Sequence, residues 1–273
     1  MTGISGLFRP IILALCLVVA APAARANDDL RARVLHDWYR MILELVRHTP
    51  TYTPPVASRA FAYTAIIAYE STASGTDDLD SLAGQVTGLS PLPARDPAAT
   101  YDESAVLNAA LARAVDSYFF NTGPTGQRAK AALAKSLRAE IAKSATAETI
   151  ALSEAYGTAL ADHVIAASAS DGGAVIENMG FPMDYSLGGE PQDWVPTNLI
   201  RLQQFPLLPA WGTNRTFAMP NGASCPLPPP PAFSEDPSSD FYREAKEVYD
   251  TVRALTPEQE AIARFWSDDP MLS

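Results

Sequence analysis

Apolar residues recur at spacings of three and four along most of this chain, and few segments alternate with period two. That periodicity restricts the chain to helices packed on helices. Over 27–47, Leu30, Val34, Trp38, Met41 and Leu45 form one stripe, which Leu35, Tyr39, Ile42 and Val46 widen. Pro50, Pro54 and Pro55 break it by removing backbone donors and fixing φ. A second helix is predicted from about 55 to 71, carrying Phe61, Tyr63, Ile66 and Tyr69. Three more follow over 102–120, 124–143 and 147–169. A sixth spans 238–254, with Phe241, Ala245, Val248, Tyr249 and Val252 expected to face inward. The last, at 256–269, has Thr256 as N-cap, Pro257 at its first position and Gln259 where a capping box needs it. The expected fold is all-α, a helical bundle of about seven helices.

Between the fifth and sixth helices the pattern collapses. Twelve of the 23 prolines fall between Pro182 and Pro237. Structureless stretches this long are uncommon inside compact domains. This one also holds Phe181, Tyr185, Trp194, Phe205, Trp211 and Phe217, residues in which disordered linkers are poor. The expectation is an ordered segment over 171–237 that wraps the helices and plugs its aromatics into their grooves. The last helix is followed only by Pro270-Met271-Leu272-Ser273, which predicts a bundle that is incomplete.

Arg9, the apolar run from Ile11 to Ala21 and the small residues of Ala24-Arg25-Ala26 read as a signal peptide over 1–26. The remaining 27–273 is then one helical region: helices over 27–170, the wrapping segment over 171–237, and helices over 238–269. A periplasmic or secreted location follows, with no stable membrane span after cleavage. Removing Arg9 and Arg25 leaves 18 Lys and Arg against 31 Asp and Glu, a net of −13. No basic patch is visible, so nucleic acid is not an expected partner. A single cysteine, Cys225, remains, too few for an internal disulfide.

Few residues suggest chemistry. His36, His48 and His163 are too far apart in sequence to form a zinc pair. Asp77, Asp78 and Asp80 lie close together, but no glycine and distal glutamate complete a calcium loop. The turn from Asn121 to Arg128 lacks the Gly-Lys-Ser/Thr ending of a phosphate-binding loop. Cys225 has no helix N-terminus or cation beside it to activate the thiol. Asn214-Arg215-Thr216 matches a glycosylation acceptor in form only. Asp268 and Asp269, beside Trp266, oppose the dipole at a helix C-terminus, which predicts a cationic partner for at least one of them.

Several runs resemble one family. Asp37-Trp38-Tyr39, Leu45 through Pro50, Pro54 through Ala60 and Ala68-Tyr69-Glu70 look like the opening helices of secreted bacterial vanadium-dependent haloperoxidase-like proteins. These belong to the type-2 phosphatidic acid phosphatase superfamily. Trp194-Val195-Pro196-Thr197, Pro209-Ala210-Trp211-Gly212 and Phe265 through Asp269 are similar to that family's middle section, in the same order. The resemblance runs from about Asp37 to the end and rests on structural rather than catalytic motifs. It implies a helical bundle whose pocket of Lys, Arg, Ser, Gly and His holds vanadate, or phosphate in the phosphatase relatives.

The motifs that build that pocket are a Lys followed by Arg-Pro, a Pro-Ser-Gly-His, and a Ser-Arg followed by a His. This sequence has none of them. Ser58-Arg59 has the opening of the last, but no histidine follows until His163. One position carries over: the aromatic-Trp-x-x-Asp pattern implies that Asp269 orients a cation beside the oxyanion pocket. The expected function is therefore the N-terminal helical portion of a haloperoxidase or acid-phosphatase-like enzyme, inactive alone and binding no vanadate by itself. Exposed helix faces would then favour self-association. The alternative is an exported, non-catalytic binding module that uses the aromatic segment over 181–217.

Overall fold

The computed structural model describes residues 29–49, 51–174, 180–196 and 205–267. Seven α-helices form among them. Helix α1 covers 29–47, followed by α2 (Pro54–Ala73), α3 (Glu103–Tyr118), α4 (Pro124–Ile141), α5 (Ala147–Ser168), α6 (Asp240–Arg253) and α7 (Pro257–Trp266). One short 3-10 turn lies at Trp211–Thr213. No strand forms among the described residues, only an isolated bridge between Ala83 and Val86. The chain divides into two compact units: Met1–Tyr185 with Phe205–Ser224, and Ser186–Gln204 with Cys225–Ser273.

In the first unit α3 is the central element, packing on α2, α4 and α5. Its sequence explains this. The run around Ala105, Ala110 and Ala114 brings neighbouring helices close, while Val106, Leu111 and Val115 fill the space between them, all buried. Gly157 on α5 meets the same helix. A Cβ there would run into the Val106 carbonyl oxygen. Trp38 on α1 is buried, and its indole N–H donates to Asn108 Oδ1 at 2.9 Å, so its polar edge is satisfied inside the core. Asp102 caps α3 by accepting from Ala105 N, and Thr146 caps α5 by accepting from Thr149 N.

Helix α2 carries two charged residues, Arg59 and Glu70, and each anchors a distant segment. The Glu70 carboxylate is buried and accepts from Leu82 N at 2.5 Å and from Ser81 Oγ, fixing the loop over 81–89. Phe217 from the later segment packs on Tyr63, ring centroids 5.1 Å apart. Burial of the 181–217 aromatics is nevertheless partial. Tyr185 and Trp194 are exposed, which corrects the expectation that the whole set is plugged into grooves.

The second unit departs further from expectation. The capping box of α7 forms as predicted, with Thr256 Oγ1 accepting from Gln259 N and Gln259 Oε1 accepting from Thr256 N. The face of α6 predicted to point inward does not: Val248, Tyr249 and Val252 are exposed, as are Ile262, Phe265 and Trp266 on α7. The reason is local: ion pairs such as Lys246–Asp250 and Arg264–Glu260 support these helices from within, with little tertiary burial.

Candidate functional site

The C-terminal end of α5 gathers a dense polar cluster. Helix α5 has no basic residue in its last turn, so its final carbonyls and its negative dipole end need donors from elsewhere. Two arginines supply them. Arg59 on α2 donates from Nη2 to Ser168 O at 2.8 Å. Arg215 donates from Nη2 to Ala167 O at 2.6 Å and from Nη1 to Ser170 Oγ at 3.1 Å.

Asp171, just past the helix, joins the two. Its carboxylate accepts from Arg59 Nε at 2.7 Å and Nη2 at 3.1 Å, a two-point grip, and Gly173 N donates to Oδ1 at 2.8 Å. Its backbone carbonyl accepts from Arg215 N at 2.7 Å. The ion pair is largely dry, the side chains of Arg59 and Asp171 being 13% and 4% exposed. The Arg59 guanidinium also lies over the Tyr63 ring, 5.0 Å from its centroid, and 5.9 Å from that of Tyr118. Burial pushes the Tyr118 phenol up to about 12 although its hydroxyl donates to Ser168 Oγ. Burial also raises Tyr63, with the Asp171 carboxylate adding to the effect.

Two cavities border Arg59. One, of about 230 Å³, lies among the N-terminal half of α2 and the C-terminal ends of α3 and α5. The other, of about 260 Å³, is bounded by Asp171, Trp211, Asn214, Arg215 and Phe217.

No protein-family model matches this sequence, and no curated protein matches it. A solved structure does. A bacterial vanadium-dependent iodoperoxidase shares 30% identity with this chain and superposes with a TM-score of 0.71. The match covers 87% of this chain and 56% of that one, so the chain spans little more than half the length of the iodoperoxidase. The fold is haloperoxidase-like.

Within this haloperoxidase-like fold, the residues predicted from sequence do not converge on one site. Asp269 and Asp268 lie outside the described residues. Asp77, Asp78 and Asp80 are exposed, as is Cys225. His36 is exposed, His48 pairs with Glu44 on α1 at 3.3 Å, and His163 contacts Ser90 Oγ at 3.1 Å. None of the three lines either cavity beside Arg59. The described residues therefore do not fit vanadate. Arg215 and the Nε and Nη2 donors of Arg59 are committed to Asp171, Ser170 and α5 carbonyls, and no imidazole lines either cavity to take the apical position. Asp171 and Arg215 escaped the sequence reading because their partners lie 112 and 48 residues away. The available signal was α5 itself, a long helix whose last turn carries no cation.

Proposed function

We infer that this chain is the helical N-terminal portion of a vanadium-dependent haloperoxidase or acid-phosphatase-like enzyme. The match to the bacterial iodoperoxidase carries this reading, because it extends over 87% of this chain but only 56% of that one. In such an enzyme, halide oxidation by peroxide or phosphomonoester hydrolysis takes place in an oxyanion pocket. The motifs for that pocket are absent from this sequence, so the chain is inactive alone and supplies scaffold rather than chemistry. Its own residues support that role. Arg59, Asp171 and Arg215 tie together α2, the end of α5 and the returning segment, and the apolar faces of α6 and α7 remain available for the rest of a bundle or for a second copy. Residues 1–26 act as a signal peptide for a periplasmic or secreted protein.

The test combines a vanadium-51 NMR titration with assays of iodide oxidation and p-nitrophenyl phosphate hydrolysis. The chain alone is expected to show free vanadate and no turnover. Adding a polypeptide that carries the Arg-Pro, Pro-Ser-Gly-His and Ser-Arg…His motifs is expected to produce a bound-vanadate signal and activity. Bound vanadate with the chain alone, or a mixture that stays inert, sinks the reading. A second reading, a non-catalytic binding module using the 181–217 segment, is favoured by one observation: Trp211 and Phe217 both border the 260 Å³ cavity.

A further inference from the structure

The 230 Å³ cavity between α2, α3 and α5 has a character of its own. Its walls are mainly apolar, from Tyr52, Val56, Tyr118, Phe120 and Ile165, and its volume exceeds the roughly 150 Å³ that admits a benzene ring. Among the described residues Arg59 is the one charged residue that lines it, its Asp171 partner bordering only the second cavity. Arg59 uses Nε and Nη2 for Asp171 and Ser168, while Nη1 meets no acceptor among the described residues.

A second donor lies one helical turn away. Helix α2 starts at Pro54, with Pro55 next, and neither has a backbone N–H. The first backbone donor of the helix is therefore Val56 N–H, which precedes the intrahelical ladder that opens with Ala57 N donating to Thr53 O. The N-cap Thr53 makes no side-chain bond to it. Val56 and Arg59, at i and i+3, share a helix face and both line the cavity. The opposing negative end of α5 is already offset, because the Ala167 and Ser168 carbonyls take arginine donors.

We propose that this cavity is a binding site for a small aromatic monocarboxylate. The carboxylate takes donors from Arg59 and Val56, and the ring packs against Tyr52, Phe120 and Ile165. An apolar pocket with a few convergent polar groups is the ordinary architecture of a small-molecule site. Phe120 is 68% exposed on the cavity wall, so its ring is placed to meet a ligand rather than to support the core.

Benzoate is the probe, followed by saturation-transfer NMR and thermal shift on the full chain at pH 7. Saturable binding is expected, with benzyl alcohol about tenfold weaker because it lacks the charge-assisted hydrogen bonds. Phe120→Ala should weaken benzoate by about three- to tenfold, the range for losing an aromatic contact. Ala169→Trp should block the cavity. Ala169 is exposed on the cavity wall, so both variants should keep the parent melting temperature. Absence of saturable binding, equal affinity for benzyl alcohol, or unchanged benzoate affinity in Ala169→Trp overturns the proposal.

Discussion

Helices α3 and α6 begin in the same way and end in opposite circumstances. Asp102 caps α3 and Ser239 caps α6, each side chain accepting from the backbone N–H three residues on. Helix α3 is then built from small and apolar residues and has ten buried positions; α6 has none. Seven of the 14 residues of α6 are charged, and they pair along the helix, as in Lys246–Asp250 and Arg243–Asp240. One helix is held by what it packs on, the other by what it carries. Caps and i,i+4 pairs specify that a helix forms, whereas only a covering surface specifies where its apolar side goes.

The largest test of that contrast is Trp38→Ala. It opens a cavity in the α1–α3 core and leaves Asn108 Oδ1 without its donor, at a cost of about 3–5 kcal/mol. Urea denaturation followed by far-UV circular dichroism should show the loss as a lower midpoint. A cost under about 1 kcal/mol, the level of an average substitution, would mean that the first unit is no better packed than the second.

Asp171→Ala is the next largest. It strands a mostly buried Arg59 guanidinium, which should cost about 3 kcal/mol. The exposed pair partner Asp250→Ala on α6 should cost no more than about 0.5 kcal/mol. Comparable effects at the two sites would show that the Arg59 latch is an ordinary surface pair.

Alkaline pH sharpens the comparison from another side. Burial raises Tyr52 and Tyr118 to about 12 from the usual 10. The folded state thus holds these protons more tightly than the unfolded state, so ∂ΔG_unfold/∂pH is negative between 10 and 12. The stabilisation is fully present below pH 10; Tyr118 loses on the order of 2–3 kcal/mol as pH rises through 12, and Tyr52, whose hydroxyl accepts from Asn121 N, loses less. Tyrosinate absorbance at 295 nm should rise together with unfolding of α1–α5. Full tyrosinate formation by pH 11 with circular dichroism unchanged would contradict the burial.

What could be read in the sequence follows the range of each interaction. The α7 capping box was legible because Thr256 and Gln259 are three residues apart. The bounds of α2 to α5 were legible because prolines, caps and apolar stripes are local. The latch was not, since Arg59 and Asp171 are 112 residues apart and no periodicity links them. A clue lay in α2 all the same: in a helix of 20 residues with only two charges, both charges turn out to be anchors. The inward face assigned to α6 failed for the complementary reason. A hydrophobic stripe reports that a surface is meant for burial, not that this chain supplies the cover.

The smallest expected effect is at that stripe. Phe265 and Trp266 are 78% and 77% exposed, and among the described residues their rings meet each other edge to face, with centroids 5.2 Å apart. Replacing both with Ser removes a ring contact at a solvated helix end, so stability should move by less than about 1 kcal/mol. Association and dye binding should respond far more, because contiguous exposed apolar surface drives both. Sedimentation velocity and fluorescence of a hydrophobic dye, compared between parent and double variant, separate the two quantities. Unchanged stability with lower dye binding marks these residues as interface in waiting. A stability loss of several kcal/mol would instead show that α7 is buried in solution, and the division between a packed region and a self-supporting one would no longer hold.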